Sequence, residues 1–399
     1  MVFEEGVKIL LAGANCFHGN FKQMFGQIAL RLDENTYLTT GENKKLASIV
    51  EKDITLCDIS TGDLGQIFSN RQDINAFIFG CSQDTVEASK DKEYLDVALD
   101  DMAHLAGAHL KIVENAEPKT LLEALNDTCV CLVKGTGAIA ACEDMWMAAA
   151  AMQVIEKTCE ACAHGEMIGG VKPIVEDVAN SLKENFENKY LPTNKEKSVE
   201  FIGFDEDSFA IRNDLTKTCA TLIDEDLVYG SWGNVSVKMD DETMLITPSS
   251  INNSDIKIED LVRVNLSSLE TMDPREPSGN AELYARMYKE LPGCNAIIHT
   301  HSNACSVFAA CEAGFAITDE KMKQLIGDVL LIPYNPADTI ASNNRTLKVL
   351  QDTHAAIQSH QGAIFYGPSL EVVTEIAIAV EKLAQKLLKF DATITDEEE

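Results

Sequence analysis

The sequence predicts a duplicated α/β fold, two tandem units in which strands and helices are interspersed. Three observations lead there: at 399 residues the chain exceeds one ordinary core, it repeats itself in order, and each copy mixes period-2 and period-3.6 apolar patterns. Shifting by 207 lays Gly26–Thr40 over Gly233–Thr247 without a gap, with Gly, Asp, Thr, Leu and Thr coinciding. A shift of 220 lays Asn75–Ser82 over Asn295–Ser302, and a shift of 225 lays Gly137-Ala-Ile over Gly362-Ala-Ile and Glu156-Lys157 over Glu381-Lys382. Because the shift only grows, one ancestral unit of roughly 190 residues is duplicated, with loops lengthened in the second copy.

Each copy reads as an N-terminal helix, a hairpin, a helix, an apolar strand, a longer stretch, then a strand and a closing helix. In Asn234-Val-Ser-Val-Lys-Met every second residue is apolar, and Asp240-Asp-Glu makes a turn before Met244-Leu-Ile-Thr, which predicts a β-hairpin. Ala296–His301 is the next strand. From Leu370 to Leu388 apolar residues recur at three and four, the mark of a helix burying one broad face, and Asp144–Ala163 answers it in the first copy. Residues 184–206 are polar, contain Pro192 and have no apolar period, so they read as a linker between domains at 1–185 and 205–399. The acidic tail Thr395–Glu399 reads as frayed.

Charge narrows the function. With 33 Lys+Arg against 64 Asp+Glu the net charge is −31, which repels polyphosphate and anionic bilayers, so nucleic acid and membrane are not expected partners. No uninterrupted apolar run approaches 18 residues, and acidic residues stand where a secretory leader would carry positive charge. A cytoplasmic location is the expectation, with the 12 cysteines as thiols. Cys159-Glu-Ala-Cys162-Ala-His164 lies on the first copy's closing helix and lacks a second pair, so it reads as a helix face. Gly135-Thr-Gly137 lacks the Lys-Ser/Thr of nucleotide loops and reads as a turn between strands.

The two copies differ where a metal could bind. His299 and His301 sit two apart in a strand, so both leave the same face and suit two corners of a metal site. His360 lies in the other matched strand, just before Gly362-Ala-Ile. The first copy has Phe79, Cys81 and Gly135 at the three places. Three imidazoles from two strands are a recurring donor set for catalytic zinc with an open position.

Gly233-Asn-Val-Ser-Val, Ile246-Thr-Pro-Ser, Glu276-Pro-Ser and Ile298-His-Thr-His-Ser, in that order and spacing, resemble the class II aldolase/adducin family. The resemblance covers nearly all of 205–390 and, through the repeat, extends weakly over 1–180. It implies two tandem α/β/α sandwiches, each with a central, mostly antiparallel sheet, the second carrying a divalent zinc held by histidines. It also implies chelation of the enediolate of a ketose phosphate and a homo-oligomer in which two tandem chains supply four repeat units. Loops matching Gly233, Asn234, Ser249, Ser250, Ser278 and Gly279 would hold the phosphate, and backbone N–H groups in tight Gly/Ser turns are anion sites on physical grounds also.

Two departures stand out. The family's carboxylate after Pro-Ser-Ser or Pro-Ser-Ala is Asn280 here, an amide that cannot take a proton at neutral pH but can orient a substrate hydroxyl. Glu282 and Glu276 are the carboxylates that could deputise. The family's His-Gly is His360-Gln361-Gly362, so either a one-residue bulge lets His360 reach the metal or Gln361 faces it. Trp232 either caps the pocket or packs. The expected activity is metal-dependent aldol cleavage of a phosphorylated ketose; epimerisation, a scaffolding relative and a non-catalytic sugar-phosphate binder are the alternatives.

Overall fold

A computed structural model describes residues 1–191, 206–334 and 338–395. The chain divides into two compact units, Met1–Ala163 with Pro173–Lys183, and His164–Lys172 with Glu184–Glu399. The short piece His164–Lys172 goes with the second unit because the Lys172 N–H donates to Ala310 O and the Cys311 thiol donates to Gly165 O. Residues 192–205 of the expected linker and 396–399 of the acidic tail lie outside the described residues. The described start of that linker is not open coil: a helix runs to Asn185 and continues as a π-helical turn over Phe186–Tyr190. Phe186, the buried residue of this largely polar run, supplies the anchor by stacking on Trp232 at 5.8 Å and 14°.

The first unit runs α1 (Phe3–Asn15), β1 (Phe25–Arg31), β2 (Thr36–Thr40), β3 (Lys44–Lys45), β4 (Ile54–Asp58), α2 (Gly62–Asn70), β5 (Ala76–Cys81), α3 (Gln83–Ser89), β6 (Tyr94–Asp96), α4 (Asp100–Ala106), β7 (His109–Val113), α5 (Pro118–Ala124), β8 (Val130–Val133), β9 (Gly137–Cys142), α6 (Met145–His164) and α7 (Glu176–Asn185). Its sheet has the order β4-β2-β1-β5-β9-β8-β7-β6, with β3 beside β1. Pairing is antiparallel except between β7 and β8. The α6 helix starts where Asp144 accepts the Met147 N–H at 2.8 Å. Its small Ala148–Ala151 run then lets the backbone sit deep against the sheet.

The second unit runs α8 (Glu206–Asp224), β10 (Asn234–Lys238), β11 (Thr243–Ile246), β12 (Val262–Asn265), α9 (Ala281–Glu290), β13 (Ala296–Thr300), α10 (Asn303–Ala310), α11 (Glu320–Ile326), β14 (Leu330–Ile332), α12 (Thr339–Val349), β15 (Ala355–Gln358), β16 (Gly362–Gly367) and α13 (Leu370–Thr395). The sheet order is β12-β11-β10-β13-β16-β15-β14, antiparallel except β14–β15. One face packs Ile297, Ile364 and Ala356 against Tyr284 and Met287 of α9 and Leu347 of α12. On the other face α10 and α13 pack on β13 and β16. Val373, Ile376, Ala377, Val380, Ala384 and Leu388 form the buried stripe of α13 that the sequence period marks. This is the expected α/β/α sandwich in both units.

Strand registers identify the repeat residue by residue. Gln27 faces Phe79 across β1 and β5, and Asn234 faces His299 across β10 and β13, which reproduces the shifts of 207 and 220. Phe79 faces Ile139 and His299 faces Ile364, which reproduces 225. No helix among the described residues is long and apolar enough to cross a membrane.

Candidate active site

Alternation along β13 puts His299 on the same face as Ile297, the face covered by α9, and His301 follows directly after the strand's end, its N–H donating to Leu227 O. Both are buried, and their rings meet edge to face with centroids 4.9 Å apart. The strands beside His299 supply Asn234 on one side and Ile364 on the other. Asn234 is held in turn, because the hydroxyl of fully buried Tyr284 donates to its Oδ1. Burial drives the Tyr284 pKa far up, opposed by a hydrogen bond with Asn280, so this phenol keeps its proton and ties the loop before α9 to the start of β10. Tyr284 was not singled out from the sequence. Its signal is the position one helical turn after Asn280, on the same helix face.

His360 lies on the three-residue turn between β15 and β16, whose ladder runs in unbroken register from Ala355↔Phe365 to Gln358↔Gly362. The ladder therefore carries no bulge, the first of the two alternatives that the His360-Gln361-Gly362 order left open. The first copy spans the same turn with three residues between Val133 and Gly137. Instead His360 takes φ 66°, a left-handed conformation that its counterpart Gly135 reaches at 59° with less strain. Its N–H donates to Ala309 O at the end of α10, and its Nε2 lies 3.5 Å from a Glu312 carboxylate oxygen. The structure thus brings His299 and His301 together and turns His360 toward Glu312. Gln361 closes the turn by donating to Gln358 O.

The loops singled out for phosphate meet at this same end of the sheet, because β10 starts there while β11 and β13 end there. Gly233 takes φ 88°, and a Cβ on it would come within 2.5 Å of Val228, so only glycine fits. Pro248 and Pro277 form an isolated antiparallel bridge that sets the two Pro-Ser loops side by side. Within it Ser249 N–H donates to Glu276 O and Ser278 N–H to Thr247 O, both at 3.0 Å. Ser249 and Ser250 hydroxyls are 3.2 Å apart, and Ser250 has φ 60°. Gly279 leads into Asn280 at the start of α9. Glu282 is exposed in the first turn of α9, while Leu283 and Tyr284 point into the core. The loop's far side is fixed by ion pairs: buried Arg212 of α8 binds Asp273 at 2.7 Å and the Ile258 and Leu261 carbonyls, and Arg275 binds Asp260 at 2.9 Å.

Both copies keep one further pair at matched places. Ser82 Oγ donates to Glu156 at 2.6 Å, and Ser302 Oγ to Glu381 at 2.7 Å. Glu381 also accepts the Ala304 and Cys305 N–H groups and so caps α10, whereas burial pushes the Glu156 carboxyl up to about 7.

The sandwich and this loop arrangement belong with one class of protein. The family described as Class II Aldolase and Adducin N-terminal domain matches residues 15–163 and 213–388, and the chain belongs to that family. Among its relatives is a 5-methylthioribulose-1-phosphate/5-deoxyribulose-1-phosphate aldolase of Rhodospirillum rubrum, 27% identical over 178 residues, 44% of this chain and 80% of that protein. An L-fuculose phosphate aldolase of Haemophilus influenzae is 29% identical over 184 residues, 44% of this chain and 81% of that one. The solved L-fuculose-1-phosphate aldolase of Thermus thermophilus is 20% identical with a TM-score of 0.41, covering 47% of this chain and 98% of that structure.

Proposed function

We propose that the chain is a carbon–carbon lyase acting on a phosphorylated ketose, with its site in the second repeat and a divalent metal as cofactor. The observation that carries this reading is the buried edge-to-face pair of His299 and His301 at the sheet end where the Gly/Ser loops meet. Two imidazoles meeting at the end of one strand suit two corners of a nitrogen-donor site, and this donor chemistry favours zinc. His360 is the proposed third ligand, on rotating its ring away from Glu312; the Gln361 carboxamide is the alternative. The metal, when bound, supplies a Lewis acid for the charge left on a keto-alcohol as its carbon–carbon bond breaks.

The chain's own groups do the rest. Gly233, Ser249, Ser250, Ser278 and Gly279 are assigned the phosphate, through N–H and O–H donors of short loops. Asn234, whose Oδ1 is engaged by Tyr284, has its amide NH2 to offer a substrate oxygen. Asn280 orients a hydroxyl and moves no proton, so proton transfer is assigned to Glu282. The twelve cysteines are free thiols, which fits a reducing cytoplasm.

A scaffolding relative without turnover is the second reading. Asn280 in place of a carboxylate and the contact of His360 with Glu312 favour it. Metal analysis of the purified chain together with incubation on ketose 1-phosphates decides between them. The expected result is about one zinc per chain, lost in His299→Ala and His301→Ala, and release of dihydroxyacetone phosphate. Metal-free, folded, inactive protein means a scaffold; metal without turnover means a binding module.

A further inference from the structure

We propose that Tyr190, from the stretch joining the two repeats, is a substrate-binding residue of the second repeat, donating its hydroxyl to the phosphoryl group of the ligand. This rests on the sugar-phosphate reading of the loops. The π-helical turn Phe186–Tyr190 carries two aromatic rings four residues apart, and each reaches a different one of those loops. Phe186 is buried and stacks on Trp232, the residue directly before Gly233. Tyr190 extends over the second loop: a Cβ on Gly279 would lie 3.0 Å from its hydroxyl oxygen. The phenol therefore occupies the space that the missing side chain of Gly279 leaves open, beside Ser278.

The chemistry suits an anion. Tyr190 is 40% exposed and lies outside the core packing, with its hydroxyl brought up to the Gly279 backbone. A phenol is a neutral O–H donor at physiological pH, and hydrogen bonds to a charged acceptor are stronger than those between neutral groups. In a chain of net charge −31, donors held close to the phosphoryl oxygens must outweigh the repulsive field of the whole molecule. The stacked Phe186 fixes where the turn lies, so Tyr190 is delivered to the loop with little further ordering on binding.

The test is calorimetric titration of the full chain with dihydroxyacetone phosphate and, separately, with unphosphorylated dihydroxyacetone. Tyr190→Phe is expected to weaken the phosphorylated ligand about tenfold, leaving the unphosphorylated one and the melting temperature unchanged. Gly279→Ala, which pushes the phenol aside, is expected to weaken it comparably, with the double variant no worse than the poorer single one. Ser278→Ala tests the loops independently. If Ser278→Ala weakens binding while Tyr190→Phe stays within twofold of wild type, the role of Tyr190 is overturned and the loop assignment stands. Wild-type chain that binds no dihydroxyacetone phosphate overturns the sugar-phosphate reading and the Tyr190 role together.

Discussion

His360 combines a left-handed backbone with a ring directed at Glu312, where the first repeat places a glycine. A left-handed conformation costs an L-residue about 1 kcal/mol or more, so something must repay a histidine for standing there. His360→Gly is expected to raise the stability of metal-free protein by up to about 1 kcal/mol in urea denaturation while lowering its capacity for zinc. A stabilised variant that keeps its zinc would assign the third ligand to Gln361. Tyr284 makes the opposite case, a buried group whose value lies in satisfying another. Tyr284→Phe leaves the Asn234 acceptor buried without this donor and is expected to cost about 1–3 kcal/mol, read by the same denaturation.

Among elements, the matched helices α6 and α13 hold the same Ser–Glu pair with different consequences. Glu381 is drawn into capping α10 by two N–H groups, while Glu156 is held by Ser82 in a setting where burial dominates. A carboxyl raised from 4.5 to about 7 favours the folded state while protonated. Its contribution is complete below pH 4.5 and is lost as pH rises through about 7. Glu156→Gln, which stays neutral, is therefore expected to match wild type near pH 5 and to exceed it at pH 8 by on the order of 2–3 kcal/mol, seen in paired urea titrations. Equal stabilities at both pH values would show that Glu156 ionises freely in the fold. On α8, Arg212 joins its helix to Asp273 and two carbonyls with almost no exposure. Arg212→Ala removes the buried guanidinium from a largely covered carboxylate and two carbonyls, and a loss of about 3 kcal/mol is expected.

For the whole molecule, the duplication is the dominant fact. The seven-strand order of the second sheet recurs within the nine-stranded first sheet, each with one parallel pair, and the same residue-to-residue registers recur through all three shifts. A tandem chain carries two such units, so we predict that two chains associate and supply four, giving twice 43.6 kDa in light scattering. A mass of 43.6 kDa, independent of concentration and salt, would remove that prediction.

The duplication, the strand alternation and the histidine pair were legible in the sequence because they depend on spacing alone. A period of two predicts His299 and His301 on one face whatever surrounds them, and a shift stays constant within a matched segment only if paired strands diverge together. The family resemblance likewise rests on short loops whose glycines and serines are set by backbone geometry. Three matters were decided by the tertiary structure. Whether a polar stretch continues as helix depends on a partner for its buried aromatic residue, and Trp232, distant in sequence, provides it for Phe186. Where His360 points depends on Ala309 and Glu312 rather than on its neighbours in sequence. That Tyr284 holds Asn234 requires a helix and a strand fifty residues apart to meet. Local spacing fixes which face a side chain leaves, whereas what it meets there is a property of packing between segments, which no short stretch of sequence contains.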